Sequence, residues 1–311
     1  MPRSTPDSAL SANPSPTATG RWLLPVALLF PTALTLVYFV WMASAAGPIQ
    51  RLVFAVAKLA QFLLPVLWWS WRRQASATRQ RFDASRSNLP GPGPQHNDLA
   101  RNDAAGNDAA GNALVGNAPG TSPPAPQSPG WPASWKGQRP GTGSGLCMGL
   151  GMGLAMAALM LVAAAGMEAA GVFAPALPII RQKLAGVGVH TAVQFAALAV
   201  FYCLAHSLLE EYYFRWFLWR FCREVCPRVP AHLLAAVGFM SHHVVVLAFY
   251  FGWLNAMTWL GSLAVAVAGL AWSWLYELTD SLWPSWIAHI LADAAIFGFG
   301  YHLLTFSITS P

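Results

Sequence analysis

Charged side chains are scarce in this 311-residue chain, and their scarcity excludes an ordinary soluble domain. Only 10% of the residues are charged, whereas 55% are hydrophobic and the mean hydropathy is +0.44. Fifteen tryptophans accompany this composition, and tryptophan is enriched where membrane helices meet water. We therefore predict an all-α protein, a polytopic bundle of transmembrane helices.

Cysteine is also scarce, and the usual metal-binding spacings are missing. Four cysteines are too few for a disulfide scaffold, so we interpret them as free thiols. Cys222 and Cys226 lack both the usual zinc spacing and a second ligand pair, and the sequence contains no H-E-x-x-H motif. The net charge of +6 does not indicate nucleic-acid binding, because the basic residues flank apolar runs. We expect no nucleic-acid partner.

Composition divides the chain into four segments. Residues 1–20 are rich in Ser, Thr, Pro and Ala, which predicts a disordered tail. Residues 21–73 predict a two-helix membrane hairpin, and residues 74–143 predict a disordered cytosolic linker rich in Pro, Gly and Asn. Residues 144–311 predict the functional bundle, which brings the total to about seven spans. Its five spans are expected at about 145–166, 191–217, 231–252, 258–276 and 284–306.

Glycine spacing gives a packing prediction for the third span. Gly145, Gly149 and Gly153 recur one helical turn apart. Small residues on one face let two membrane helices approach closely. We therefore expect this face to contact a neighbouring span.

Basic residues predict the orientation of the bundle. With a cytosolic N-terminus, thirteen Lys and Arg residues lie on the cytosolic side of the spans and three on the other side. Loops on the cytosolic side of membrane proteins carry the excess of positive charge. We expect an integral membrane protein of the bacterial inner membrane or another cytosol-facing membrane, in contact with the lipid bilayer. The cytosolic set is Arg3, Arg21, the eight from Arg72 to Arg139, Arg220, Arg223 and Arg228, and the opposite set is Arg51, Arg181 and Lys183.

Three ionisable residues lie within six positions of one apolar span, in the stretch E-E-Y-Y-F-R that begins at Glu210. A charge at membrane depth costs at least ~2.5–3.5 kcal/mol, so such groups pair with one another or do chemistry. On a helix, Glu211 and Arg215 lie one turn apart, and we predict that they form a structural ion pair. Glu210 lies about 100° around the helix, with His206 one turn before it. Glu210 is therefore the carboxylate that the pair leaves available.

Further polar side chains lie in later spans at a compatible depth. The fifth span carries His242 and His243, and the seventh carries His289 and Asp293 one turn apart. At 1.5 Å per residue, Glu210 and His289 lie roughly 13–15 Å from the cytosolic edge and His243 lies about 20 Å from it. We expect these residues to meet inside the bundle, in its cytosolic half or near the midplane.

Such a cluster fits two kinds of hydrolytic site. A metal-free site needs Glu210 as general base and His243 as its partner, with donors near His289 and Asp293 for an oxyanion. If a metal is bound, Glu210, His243 and His289 offer ligands for divalent zinc. We predict no metal, with zinc as the alternative. A buried polar network that only fixes helix packing is the third interpretation.

Three motifs occur in order on separate spans: Glu210-Glu211-x-x-x-Arg215, Phe239-x-x-x-His243 and His289-x-x-x-Asp293. Together, over about residues 190–300, they resemble the CAAX-protease and bacteriocin-processing family of intramembrane proteases, related to the type II CAAX prenyl endopeptidases. The resemblance implies a helical membrane protease that cleaves near the cytosolic face. Its substrate would be a membrane protein or peptide, for which prenylation is one option. In such an enzyme Glu210 and His243 activate water, and His289 and Asp293 stabilise the oxyanion.

Two positions depart from the family's pattern. The last position of the third motif is most often Asn and is Asp293 here, so this residue must be protonated near an oxyanion or must instead orient His289. His242 stands beside His243, although the spacing from Phe239 selects His243. Whether catalysis is of the metallo type or the glutamate type stays open at this point.

We therefore predict an intramembrane endopeptidase that hydrolyses a peptide bond through Glu/His-activated water, with CAAX-type processing as one form of it. Two other classes of function remain as alternatives. A non-catalytic immunity or scaffold protein would keep its phenotype after Glu210→Gln. A proton-coupled transporter would show proton-coupled flux in liposomes.

Overall fold

The computed structural model describes residues 18–41, 47–87 and 141–309, and all regular structure in these ranges is helical. This confirms the predicted fold class. The described residues divide into two units, those up to residue 67 together with those from residue 141, and residues 68–87. In the second unit the described residues, 68–87, form the end of one helix.

Eight helices organise the described residues. Helix α5 combines α-helical and π-helical segments, and α1 continues as a π-helical turn from Val37 to Trp41. The helices are α1 (Ala18–Leu36), α2 (Gly47–Ser87), α3 (Thr142–Ala169), α4 (Leu177–Gly186), α5 (Ala192–Val225), α6 (Arg228–Phe251), α7 (Ala256–Thr279) and α8 (Leu282–Thr309).

Six helical stretches in these ranges are long and apolar enough to cross a membrane, and they lie in α1, α3, α5, α6, α7 and α8. The second predicted span is a shorter apolar stretch, Ala55–Ser70, within α2. It falls short of the ~20 residues that span a hydrocarbon core. The described residues therefore contain six candidate spans where the sequence predicted about seven, and the polytopic helical bundle is confirmed.

Helix α2 extends beyond the predicted hairpin. It ends at Ser87, so residues 74–87 are helical and not part of a disordered linker. The sequence from Arg72 to Ser87 contains neither Pro nor Gly, and its Ala, Arg and Gln residues favour helix. The rest of the predicted linker, from residue 88 to 140, and the predicted tail up to residue 17 lie outside the described residues.

Short, capped connections fix the order of the later helices. Helix α5 begins with a capping box, in which Thr191 and Gln194 bond each other's backbone N–H groups. The Asn255 side chain caps α7 by accepting from the N–H of Met257 at 2.8 Å. Helix α7 ends at Asp280, whose φ of 50° is left-handed, and Arg220 binds its carboxylate at 2.9 Å. The C-terminal end of α5 is thereby tied to the turn between α7 and α8.

The glycine face of α3 packs directly on α8. A Cβ added at Gly149 would overlap the backbone of Pro284, and one added at Gly153 would lie 2.8 Å from the Cα of Ala288. The predicted close contact of this face is confirmed. Because Ala288 precedes His289, this contact sets the position of the third motif.

Helix α6 is held between α1 and α7. A Cβ at Gly238 would meet Leu28 of α1 at 2.9 Å, and one at Gly269 of α7 would meet Phe239 at 3.2 Å. The Tyr213 hydroxyl of α5 also donates to the carbonyl oxygen of Ala27 at 2.8 Å. These contacts bring the histidines of α6 against α5.

Candidate active site

Two π-helical segments of α5, Phe201–His206 and Tyr212–Trp219, flank the turn that carries the paired glutamates. This turn, Ser207–Glu211, is α-helical. The Trp286 indole of α8 donates to the carbonyl oxygen of Leu204 and to the Ser207 hydroxyl, both at 3.1 Å. A carbonyl of the first π segment thus gains a partner from α8, and π segments often occur at functional sites.

Glu210 lies where three helices meet, and only 4% of it is exposed. Its Oε1 lies 3.3 Å from Nε2 of His242 on α6 and 3.7 Å from Nδ1 of His206 on α5. Its Oε2 lies 3.7 Å from Nε2 of His289 on α8. The carboxylate therefore faces three imidazole rings.

Glu211 is fully buried and has two partners. Its Oε1 lies 3.2 Å from Nη1 of Arg215, one turn later, and 2.9 Å from Nδ1 of His289. The guanidinium makes no aligned hydrogen bond among the described residues, but it lies over the rings of Phe239 at 4.5 Å and Trp272 at 5.1 Å. Arg215 is thus held by charge and by stacking on aromatic rings.

The two histidines of α6 have different hydrogen bonds. His243 donates from Nδ1 to the carbonyl oxygen of Phe239 at 3.0 Å. A carbonyl can only accept, so a neutral His243 keeps a lone pair on Nε2. His242 stacks on Phe214 at 5.4 Å, and its buried Nδ1 has no partner within the described ranges. Of the two, His242 makes the direct contact with Glu210.

The third motif completes the cluster. Nε2 of His289 lies 3.7 Å from Oδ1 of Asp293, one turn later. The His289 ring stacks on Trp272 of α7, with ring centroids 4.2 Å apart and an interplanar angle of 22°. The Asp293 side chain is 17% exposed, against 4% for His289. Asp293 therefore lies at the rim of the cluster.

The structure brings the four predicted catalytic residues into one region. Separations of 3.7 Å join His289 to Glu210 and to Asp293, and His243 lies in a trio with Glu210 and His242. Sequence reasoning missed the direct contact of His242 with Glu210, although the adjacent histidines were a signal for it. It also missed Trp272, which nothing in the spacing distinguishes among fifteen tryptophans.

Glu210, His242 and His243 could hold a metal ion. Each offers one ligand atom, and these atoms lie within 4.8 Å of one another. Two imidazole nitrogens and one carboxylate oxygen are a donor set that zinc accepts, with ligand distances of about 2.0–2.2 Å. The 3.3 Å between Glu210 and His242 matches the separation of about 3.3 Å that two such ligands have around one ion. These residues fit zinc, with His242 in place of the predicted His289, which is not part of this trio.

A second buried glutamate, Glu277 on α7, lies in a comparable setting. Its Oε2 accepts from Nε of Arg228 at 2.7 Å and lies 2.9 Å from Nε2 of His232. Nδ1 of His232 accepts in turn from the Trp219 indole at 3.1 Å. This network joins α5, α6 and α7. Substitutions in it serve as matched controls for substitutions in the candidate site.

A comparison with protein families bears directly on this cluster. The family model described as type II CAAX prenyl endopeptidase Rce1-like matches residues 192–295. Over this range, which is about a third of the chain, the sequence is similar to the Rce1-like family. The match begins at the first residue of α5 and ends in α8, so it contains every Rce1-like motif of the site. Neither a search of curated proteins nor one of solved structures found a match.

The Rce1-like family is a protease family, which supports a hydrolase. Six long apolar helices together with a family of membrane proteases support an integral membrane protein. The similarity to such a family also supports substrates that are membrane proteins or peptides in the bilayer.

Proposed function

We propose that this chain is an intramembrane endopeptidase in which Glu210 and His243 activate water. The observation that carries the proposal is the convergence of Glu210, His242 and His289 from three spans, with atom separations of 3.3–3.7 Å. Ionisable groups at membrane depth are costly, so their convergence argues for a function. The match of α5 to α8 with a protease family supports peptide hydrolysis as that function.

The water molecule would donate one hydrogen to the Glu210 carboxylate and the other to the Nε2 lone pair of His243. Its oxygen adds to the carbonyl carbon of the scissile bond, its proton passes to Glu210, and the carbonyl electron pair moves onto the oxygen. When the C–N bond breaks, Glu210 returns the proton to the leaving nitrogen. General base action of this kind contributes ~10²–10⁴-fold in rate.

His289 would stabilise the oxyanion. Its Nδ1 donates to Glu211, so donation from Nε2 as well requires the imidazolium form. The carboxylates of Glu210 and Glu211 stabilise that cation from two sides. With Asp293 protonated, two carboxylates then balance the charges of Arg215 and His289.

His242 acts in this scheme as a positioning residue. Its contact with Oε1 fixes the Glu210 carboxylate, which leaves Oε2 directed toward His289. When zinc is bound, Glu210, His242 and His243 would hold it, and the ion would supply Lewis-acid activation of water.

We propose a membrane protein or peptide as the substrate, with a prenylated peptide of the CAAX type as the first candidate. The scissile bond must reach Glu210, roughly 15 Å below the predicted cytosolic edge at 1.5 Å per residue. An apolar chain attached near that bond would lower the cost of bringing it to this depth, because its CH₂ groups favour hydrocarbon by ~0.8 kcal/mol each.

The experiment compares the wild type, Glu210→Gln and Glu277→Gln in proteoliposomes. The probe is an internally quenched peptide with a farnesylated cysteine followed by three residues. In parallel, new protein termini are quantified in membranes of the three strains. We expect Glu210→Gln to lose ~10²–10⁴-fold in turnover and Glu277→Gln to keep it. Unchanged termini and turnover in Glu210→Gln would refute Glu210 as the general base, and a wild type that neither cleaves the probe nor generates new termini would refute a hydrolase. If Glu210→Gln loses the new termini but the wild type does not cleave the probe, only the prenylated substrate is refuted.

A further inference from the structure

Trp272 of α7 lies against two groups of the site, although it belongs to none of the three motifs. It is 3% exposed. Its ring stacks on His289 at 4.2 Å and lies beneath the Arg215 guanidinium at 5.1 Å. The side chain thus joins α7 to the residues of α5 and α8 that carry the charges of the site.

The indole N–H of Trp272 is buried and donates to no group in the part of the chain that the structure describes. Three other tryptophans of the same bundle do donate. Trp219 donates to His232 at 3.1 Å, Trp259 to the carbonyl oxygen of Trp253 at 2.9 Å, and Trp286 to Leu204 at 3.1 Å. Native structures rarely leave a buried donor unpaired, and such a group calls for an explanation.

The oxyanion of the proposed reaction needs an uncharged hydrogen-bond donor near His289 and Asp293. A protonated Asp293 carries a single O–H donor, whereas the amide that the family usually has there carries two N–H donors. Nδ1 of His289 is already engaged by Glu211 at 2.9 Å, which leaves only its Nε2. That nitrogen lies 3.7 Å from both Glu210 and Asp293. Because Asp293 lies at the rim, with 17% of its side chain exposed, Nε2 of His289 is the one donor already held in the buried part of the cluster.

We propose that the Nε1–H of Trp272 is the second hydrogen-bond donor to the oxyanion, in the place of the missing amide. The inference rests on the proposed peptidase function. The carbonyl oxygen gains negative charge when water adds, and the indole donates to it without transferring its proton. The stacking on His289 gives Trp272 a second task, which is to hold that ring in place.

Two substitutions separate these tasks. Trp272→Phe keeps an aromatic ring and removes the donor, and replacement of Trp272 by 3-benzothienylalanine keeps the bicyclic shape and removes only the N–H. We expect both to lower kcat by ~10²–10³-fold, the usual effect of losing one oxyanion donor, with little change in KM. Trp219→Phe is the matched control, because it also removes a buried indole N–H. We expect it to lower the melting temperature and leave kcat within about twofold of the wild type, since Trp219 lies in the Glu277 network and donates outside the site.

The decisive measurement is rescue. In an Asp293→Asn background the amide supplies two N–H donors in place of one O–H, so the benzothienyl substitution should cost less there, by about tenfold or more, than in the wild type. A wild-type kcat with the benzothienyl residue overturns the proposal, and so does an equal loss in the wild-type and Asp293→Asn backgrounds. A wild type that does not hydrolyse the farnesylated probe or generate new termini refutes the peptidase function itself, which is a different result.

Discussion

Three buried glutamates of this bundle look alike in the sequence but have different surroundings. Glu211 and Glu277 each share one carboxylate oxygen between an arginine and a histidine, with separations of 2.7–3.2 Å. Glu210 instead lies 3.3–3.7 Å from three imidazoles. A carboxylate with short contacts to a guanidinium is occupied by its structural partners, whereas longer contacts to imidazoles leave room for a water molecule.

The surroundings also differ in how completely polar atoms are paired. Around Glu277, Arg228 and both nitrogens of His232 have partners. Around Glu210 and Glu211, buried atoms of Arg215, His242 and Trp272 make no aligned hydrogen bond within the described ranges. Fully paired networks make a fold rigid, and incompletely paired ones occur where a ligand or a reacting group completes them. We therefore expect the Glu277 cluster to brace the fold and the Glu210 cluster to act on a substrate.

The largest expected effect is the loss of turnover when Glu210 or its proposed partner His243 is replaced. Glu210→Gln and His243→Ala should each lower turnover by ~10²–10⁴-fold, because both serve the same proton transfer. The double variant should fall little further, as for residues that act as one unit. The measurement is kcat of the three variants in proteoliposomes. His242→Ala, which removes only a positioning contact, should cost less than His243→Ala.

Two results would contradict this scheme. A double variant that falls by the product of the single effects would show that Glu210 and His243 act independently. A larger loss of turnover for His242→Ala than for His243→Ala would indicate that His242, and not His243, binds the water molecule. Melting temperatures in detergent must stay close to that of the wild type for either conclusion.

The next largest effect is a loss of stability when Glu211 or Glu277 loses its arginine partner. Arg215→Ala leaves Glu211 buried without its guanidinium, and breaking a buried pair costs ~3–5 kcal/mol. Arg228→Ala at Glu277 should cost less, because the Arg228 side chain is 40% exposed and solvent screens it. Thermal melting in detergent compares the two. Adding Glu211→Gln to Arg215→Ala should recover part of the loss, because it removes the unpaired buried charge. Recovery should be incomplete, because His289 still needs an acceptor at this position. No recovery would show that Glu211 and Arg215 are not coupled.

Much of this arrangement could be predicted from the sequence. The all-α bundle follows from apolar runs, and the Glu211–Arg215 contact follows from helical spacing, because both depend on local periodicity. The glycine face of α3 was likewise predictable, since close helix contact requires small residues. The family match confirms the resemblance drawn from three motifs over residues 192–295.

Other features depend on contacts between helices that no single-helix pattern contains. The contact of Glu211 with His289 joins residues on α5 and α8, 78 positions apart, so spacing on one helix could not reveal it. The π segments of α5 rotate the faces of that helix, which spacing at 3.6 residues per turn does not anticipate. The helical stretch up to Ser87 was missed because its polar composition resembles that of a disordered segment.

A smaller effect tests how α3 supports the site. Gly149→Ala places a methyl group into the backbone of Pro284, whereas a Cβ at Gly151 meets nothing within 4 Å. Overpacking typically costs ~1–3 kcal/mol, so Gly149→Ala should lower the melting temperature and shift α8. Gly151→Ala is the matched control and should be neutral or slightly stabilising. Equal melting temperatures for the two variants would show that α3 and α8 do not pack closely at this face.

The smallest expected change in rate is that of Asp293→Asn, and its sign distinguishes two roles. If Asp293 must be protonated beside the oxyanion, the amide keeps or raises kcat, and the loss of activity at high pH moves to still higher pH. If Asp293 is ionised and orients His289, the same variant lowers kcat. Nδ1 of His289 is already oriented by Glu211 at 2.9 Å, whereas Asp293 lies 3.7 Å from Nε2. The first role is therefore favoured. A pH–rate profile in which the high-pH limb stays in place would rule it out, and Glu277→Gln should leave the profile unchanged as the control.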